Sequence, residues 1–169
     1  MLPSIKNILY ATDLSKNSAF AFRYAVKLAK EMDAKVTILN ILPMIDSAME
    51  VAIITQMGEE KYFKLTEEKT RETIEKIEER ISDFSKKQLK DVECNKDIIS
   101  SILVHEGDAV DEILKTSEDL SSDIIVLGAH GKGILAHTFL GSVPQKVLRR
   151  SRRPVLVVPI PKDATDIAL

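Results

Sequence analysis

Four of the chain's six glycines, Gly128, Gly131, Gly133 and Gly141, fall within fourteen residues of one another. They belong to the run Gly128-Ala129-His130-Gly131-Lys132-Gly133 and, eight residues further on, to Gly141-Ser142-Val143. A glycine lets backbone N–H groups approach an anion where a Cβ would block the contact. Gly141-Ser142 is read as opening a helix, whose first N–H groups lack partners and whose dipole is positive at that end, so it suits a phosphate. The Ser142 hydroxyl can cap that helix or bind a phosphate oxygen, and Lys132 adds charge without fixed geometry. The chemistry these residues point to is phosphate binding. Two common formulas fail. A Walker A loop needs Lys-Ser/Thr after its second glycine, and here Gly133 is followed by Ile134. A dinucleotide fingerprint needs Gly-x-Gly-x-x-Gly after the first strand, where this chain has Ala11-Thr12-Asp13-Leu14-Ser15.

The elements that must hold this loop alternate. Ile5–Ala11 reads as a buried strand, and Ser15 as the N-cap of a helix on which Phe20, Tyr24, Leu28 and Met32, flanked by Ala21, Ala25 and Ala29, recur at helical spacing. Val36–Leu42 is β-branched and apolar, a second strand stopped by Pro43. Strand, helix, strand in this compass is a βαβ unit, which makes a parallel sheet with a right-handed crossover. Residues 44–58 hold three of the five methionines and read as a long mobile connection with at most a helical turn. From Glu59 to Lys90 the composition turns to Glu, Lys and Arg, with Ile74, Ile77, Ile81 and Phe84 tracing one buried edge of a long amphipathic helix. A coiled-coil seam is the alternative, but the heptads are too few. Ile98–Val104 is a third strand, Gly107-Asp108 starts a helix with Val110, Ile113 and Leu114 inward, and Ile124–Leu127 is a fourth strand covered on both faces. Pro154 and Pro159 bracket a fifth strand, which suits an edge. The pattern predicts an α/β fold: an open, doubly wound, parallel five-stranded sheet. Ligands of such sheets sit beyond the carboxyl ends of strands where the strand order reverses, and two connections carry suitable residues there: Thr12-Asp13, and Gly128 onward.

Composition removes several function classes. Lys and Arg total 24 against 26 Asp and Glu, so the net charge is −2 and the chain is not built to coat nucleic acid by counterion release. The single cysteine, Cys94, can form neither an internal disulfide nor a Cys-rich metal site, which fits a reducing compartment. No apolar run approaches the roughly 18–20 residues that span a bilayer. The start, Met1 to Lys6, runs into a strand-like stretch and does not read as a signal peptide. The expectation is one soluble cytoplasmic domain over residues 1–169, with no membrane or nucleic-acid partner.

The spacing Gly128-x-x-Gly131, nine residues, then Gly141-Ser142 resembles the nucleotide-binding signature of the universal stress protein family. The resemblance covers essentially the whole chain, taking in Ile8–Ser15, the Gly107-Asp108-Ala109 turn, Val147-Leu148-Arg149 and Pro154–Val158. It implies strand order 3-2-1-4-5, a Rossmann-like site for ATP (or ADP or AMP), Mg or Mn with the phosphates, and a homodimer. Carried over, Gly128, Gly131, Gly141 and Ser142 would contact ribose and phosphates, with Ala129, Lys132 and Gly133 completing the run. His130 would face the phosphates, Asp13 the ribose or a phosphate-bound metal. Ile41 would pack against the adenine, with Val143 behind Ser142. Family members often have proline where this chain has Ala11, before Thr12; Ala11 keeps the carbonyl and gains an N–H. Members with this glycine signature bind ATP, and the implied role is a stress-response switch.

Binding is not turnover. Hydrolysis needs an in-line water, a group to orient it and stabilised charge on the transferring phosphoryl. His130 and Asp13 are the candidate orienting groups, and the sequence marks no catalytic pair around them, so slow or no ATPase activity is expected. Related nucleotidyl transferases carry His-x-x-His or His-x-Gly-His after strand one, and ATP pyrophosphatases Ser-Gly-Gly; this chain has neither. Asp13 can also simply close an Asx-turn. His105 and His137 read as ordinary polar residues, and Arg149, Arg150, Arg152 and Arg153 as helix-end cations rather than a nucleic-acid patch. The Met44–Met57 stretch suits a protein partner or a cover over the nucleotide. A nucleotide-independent scaffold or holdase is the remaining alternative. The homodimer is expected through the last strand, Val155–Val158, whose unpaired edge a two-fold mate can cover.

Overall fold

The computed structural model describes residues 3–44, 46–89, 98–130 and 140–159. The elements are β1 (Asn7–Thr12), α1 (Lys16–Met32), β2 (Lys35–Leu42), α2 (Ser47–Met57) and α3 (Glu59–Leu89), then β3 (Ile99–Glu106), α4 (Ala109–Asp119), β4 (Ile124–Gly128), α5 (Ser142–Arg150) and β5 (Val155–Val158). The strands form one sheet in the order β3-β2-β1-β4-β5, every pair parallel. The expected doubly wound architecture is therefore present, with β5 at one edge.

Alternation along the strands divides the core. Ile8, Tyr10 and Val126 point to one face, where they pack with Ala21, Phe22 and Ala25 of α1 and with Ile81 of α3. Leu9, Ala11, Ile125 and Leu127 point to the other, against Val110 and Ile113 of α4 and Val147 of α5. Covering on both faces explains the unbroken apolar runs of the central strands.

Helix α1 begins as expected, with the Ser15 hydroxyl accepting from the Ser18 amide at 3.3 Å. Its buried face differs from the aromatic stripe: Ala21, Phe22, Ala25, Val26 and Ala29 are buried, whereas Tyr24 and Met32 are each 46% exposed. Alanines bring the helix backbone close to the sheet, and the larger side chains border the interface. Its far end is held by Lys6, whose Nζ donates to the carbonyls of Met32 and Asp33 at 3.1 and 3.0 Å, as suits a cation at a helix C-terminus.

The 44–58 segment is corrected. Instead of a connection with at most one turn it contains α2, an eleven-residue helix. The Asp46 carboxylate caps it, accepting from the amides of Ala48 at 2.9 Å and Met49 at 3.4 Å. The helix has no apolar stripe because its apolar residues lie all round it, and none of its residues is buried. In α3 the expected edge is present at Ile81, which is buried, with Ile77 packed partly against it.

At the opposite end of the sheet from the glycine run, Asp123 Oδ2 accepts from the amides of Lys6 at 2.7 Å and Asn7 at 2.8 Å. These two bonds, Lys6's first, hold the Asp123 carboxyl below its ordinary pKa. A carboxyl depressed in the folded state contributes stability above its unfolded pKa of about 3.9, and that stability is lost as pH falls through the folded value. Asp123→Asn is expected to cost about 1 kcal/mol at pH 7, shrinking toward zero below pH 3, in urea denaturation at the two pH values.

Candidate functional site

The strand order reverses between β1 and β4, and these two pair only from Ile8–Ile124 to Tyr10–Val126. Beyond that point their carboxyl ends diverge and leave a cavity of about 280 Å³. Ala11, Thr12 and Asp13 line it from the end of β1, Gly128 and His130 from the end of β4, and Gly141, Ser142 and Val143 from the start of α5. Ile41 closes it from β2. Nine sequence-expected residues from four parts of the chain thus surround one space. Ala129 is buried beneath them, and Gly131, Lys132 and Gly133 lie outside the described residues, as do Cys94 and His137.

The loop after β1 is tightly tied. Asp13 Oδ1 accepts from the Ser15 amide at 3.0 Å, so Asp13 does close an Asx-turn while also lining the cavity. Thr12 Oγ1 accepts from the Leu14 amide at 3.0 Å and donates to Ser18 Oγ at 2.9 Å. The Thr12 carbonyl accepts from Asn40 Nδ2 at 2.8 Å, which anchors β1 to β2 where the cavity begins. Leu14 pays for this tight turn with a left-handed φ of 60°, uncommon for a branched residue.

Helix α5 supplies the anion-binding feature. Gly141, not Ser142, is its N-cap and gives no side-chain cap. The Gly141 amide is already spent on the Ala129 carbonyl at 2.8 Å, and Pro144 has no amide hydrogen. Among the described residues, Ser142 and Val143 therefore offer two open amides in the first turn, and the exposed Ser142 hydroxyl stands beside them. No acidic residue occupies that turn, so its dipole is uncompensated there.

Two of the glycines sit in tight places. A Cβ at Gly128 would stand 3.2 Å from the backbone of Asn17 and Ser18, and one at Gly141 would stand 3.3 Å from the Ala129 carbonyl oxygen. Among the described residues no three His, Cys, Asp or Glu side chains converge as a metal site. Asp13 would have to share an ion with ligand oxygens.

Ser18, Ala109, Ile113, Leu127 and Pro144 also line the cavity and were not singled out from sequence. Ala109 stands in the recognised Gly107-Asp108-Ala109 turn, whereas Ser18 carries no local signal. His105 is an ordinary polar residue with a partner: its Nδ1 lies 3.0 Å from Glu112 Oε2, across the β3–α4 turn. Arg150 agrees with its reading, since it pairs with Asp111 of α4 at 2.7 Å.

The model of the universal stress protein family matches residues 4–159. Universal stress protein MJ0577 of Methanocaldococcus jannaschii is 37% identical over 165 residues, covering 90% of this chain and 94% of that protein. The solved structure of hypothetical protein MJ0577 superposes with TM-score 0.63 and 28% identity, covering 94% of this chain and 99% of its own. A universal stress protein solved in complex with cAMP superposes with TM-score 0.58 and 20% identity over 93% of this chain and 98% of its own. Among the described residues no helix is long and apolar enough to cross a membrane.

Gly128→Ala should cost about 1 kcal/mol in urea denaturation, because the Asn17 backbone cannot yield as a side chain would. The negative φ of that glycine makes the loss steric rather than conformational.

Proposed function

We propose that this chain, which belongs to the universal stress protein family, binds an adenine nucleotide in the β1–β4 crevice and acts as a homodimeric stress-response switch. The observation that carries the reading is the pair of open amides at Ser142 and Val143, set at an uncapped helix end inside a cavity walled by Gly128, Gly141 and Asp13. Phosphates accept from those amides and are favoured by the helix dipole. Ile41 and the apolar wall of Ile113 and Leu127 offer the base a face to pack on. Asp13 keeps its second carboxylate oxygen for a ribose hydroxyl or a phosphate-bound Mg or Mn. A relative bound to cAMP supports the adenine class; the glycine signature agrees with ATP, or with ADP or AMP, as the nucleotide.

The reading is of a binder with slow or no turnover. Asp13 is tied by Oδ1 to the Ser15 amide, which leaves it poorly placed to swing toward an attacking water. The occupied and empty forms would differ at the crevice, and the segment that follows β2 offers Met44 and, on α2, Met49 and Val51, all more than 60% exposed, to a protein partner.

β5 is proposed as the dimer edge. The carbonyls of Pro154 and Val158 accept from Ile125 and Ala129 of β4, so by strand alternation the peptide groups of Val155 and Val157 point away from the sheet. A two-fold mate can pair with them. Val157→Pro removes one outward N–H without touching β4, and is expected to yield a folded monomer in sedimentation equilibrium; a dimer unaffected by it would refute this edge.

Nucleotide analysis of the denatured, purified protein tests the main reading, with isothermal titration of ATP for the empty form. Ser142→Glu adds charge where phosphate would sit, yet an acid in a first helical turn favours the helix by about 0.3–1 kcal/mol. The expected outcome is at least tenfold weaker ATP binding with equal or higher thermal stability. No resident nucleotide and no submillimolar affinity in the parent protein would overturn the function.

A further inference from the structure

A second cavity, of about 340 Å³, lies on the other face of β1, between α1, the sheet and α3. Its walls are Tyr10, Leu14, Ala19, Ile38 and Ile81, and Thr12 and Ser18 line both this cavity and the crevice. The size is in the range of small-molecule pockets, which run from about 300 Å³ upward.

The polar atoms within it are already paired. The Tyr10 hydroxyl donates to the Ser18 carbonyl at 2.6 Å, Thr12 Oγ1 to Ser18 Oγ at 2.9 Å, and Ser18 Oγ to the Ser15 carbonyl at 2.9 Å. Each hydroxyl proton is spent inside the protein, and Thr12 Oγ1 also accepts the Leu14 amide. Burial, the largest influence on Tyr10, pushes its hydroxyl well above its ordinary pKa, so it remains a neutral phenol. A water needs two to four polar partners to be held firmly, and these walls have few to give, whereas an apolar ligand can pack on Leu14, Ala19, Ile38 and Ile81. At the mouth, α3 sets Lys76 and Lys87 beside Glu79 and Asp83, two charges of each sign, so the rim favours neither an anion nor a cation.

From this geometry we infer that the cavity beneath α3 is a second ligand site, for an uncharged and largely apolar small molecule of about the size of a bicyclic arene. Its occupant touches Thr12 and Ser18, which are also wall residues of the crevice. Binding at the two sites is therefore linked, and whatever factor the apolar ligand imposes on nucleotide affinity the nucleotide imposes in return. The linkage rests on the nucleotide reading above, whereas the apolar site does not.

Indole is the probe. In ¹⁵N-labelled full-length protein stripped of nucleotide, indole should shift the amides of Tyr10, Ala19, Ile38 and Ile81 saturably, with nuclear Overhauser contacts from the ring to the Ile38 and Ile81 methyls. Ala19→Leu fills the cavity and should abolish these shifts while ATP binds as before. If that variant does not fold, the methyl contacts in the parent protein decide alone. Scattered shifts without such contacts, or contacts at other methyls, would overturn the site. With the site established, an ATP affinity that changes at least twofold in saturating indole supports the linkage, and an unchanged affinity overturns it. A parent protein that takes indole here but binds no ATP would refute the nucleotide reading and leave this site standing.

Discussion

One residue, Ala129, organises the end of the sheet where the crevice lies. The Ala129 amide donates to Val158 of β5 at 2.9 Å, and its carbonyl accepts from Gly141 at 2.8 Å. The first bond carries sheet pairing one residue past the end of β4. The second fixes the start of α5 directly over that end, so the helix dipole is aimed into the space where β1 and β4 part. Ala129 is buried and a Cβ on Gly141 would press on its carbonyl, so the arrangement favours a small residue at each position. Gly128 extends the same preference to the opposite face, where α1 lies against it. Close packing alone therefore favours glycine at both positions.

The loop after β1 does two things at once. Asp13, Thr12 and Asn40 satisfy local backbone groups, and in doing so hold the crevice open at its base. The left-handed Leu14 is the conformational cost of turning so sharply from strand to helix. A turn-closing Asp and a ligand-facing Asp are commonly treated as rival explanations. Here one carboxylate oxygen closes the turn while the residue also lines the crevice.

Much of this was legible in the residues. The strand runs, the Ser15 cap, the glycine spacing and the proline-bracketed edge each have a local physical cause, and each recurs in the structure. What escaped has causes that are not local. The α1 core face is built of alanines, which carry a weak hydrophobic signal, so the larger Phe20–Met32 stripe drew the reading toward residues that stand half outside. α2 has apolar residues on all sides and so no periodicity to detect, although Asp46 is a proper cap. The His105–Glu112 pair needs a strand and a helix to meet across a turn. At α5 the helix starts at Ser142 as read, and of the two roles open to the serine hydroxyl the cap is not used, since Gly141 is the N-cap.

The parallel pairing has a consequence for how the chain is made. β1 occupies the centre of the sheet, and its partner on one side, β4, lies far along the chain: Ile8 is in register with Ile124. At ribosomal speeds of about 5–20 residues per second, roughly 6 to 23 s separate the emergence of those two residues. During that interval the first βαβ unit can form, yet one side of β1 has nothing to pair with. The most buried strand of the finished protein is therefore an exposed edge for most of its synthesis, and a nascent chain halted before Ile124 keeps that edge open.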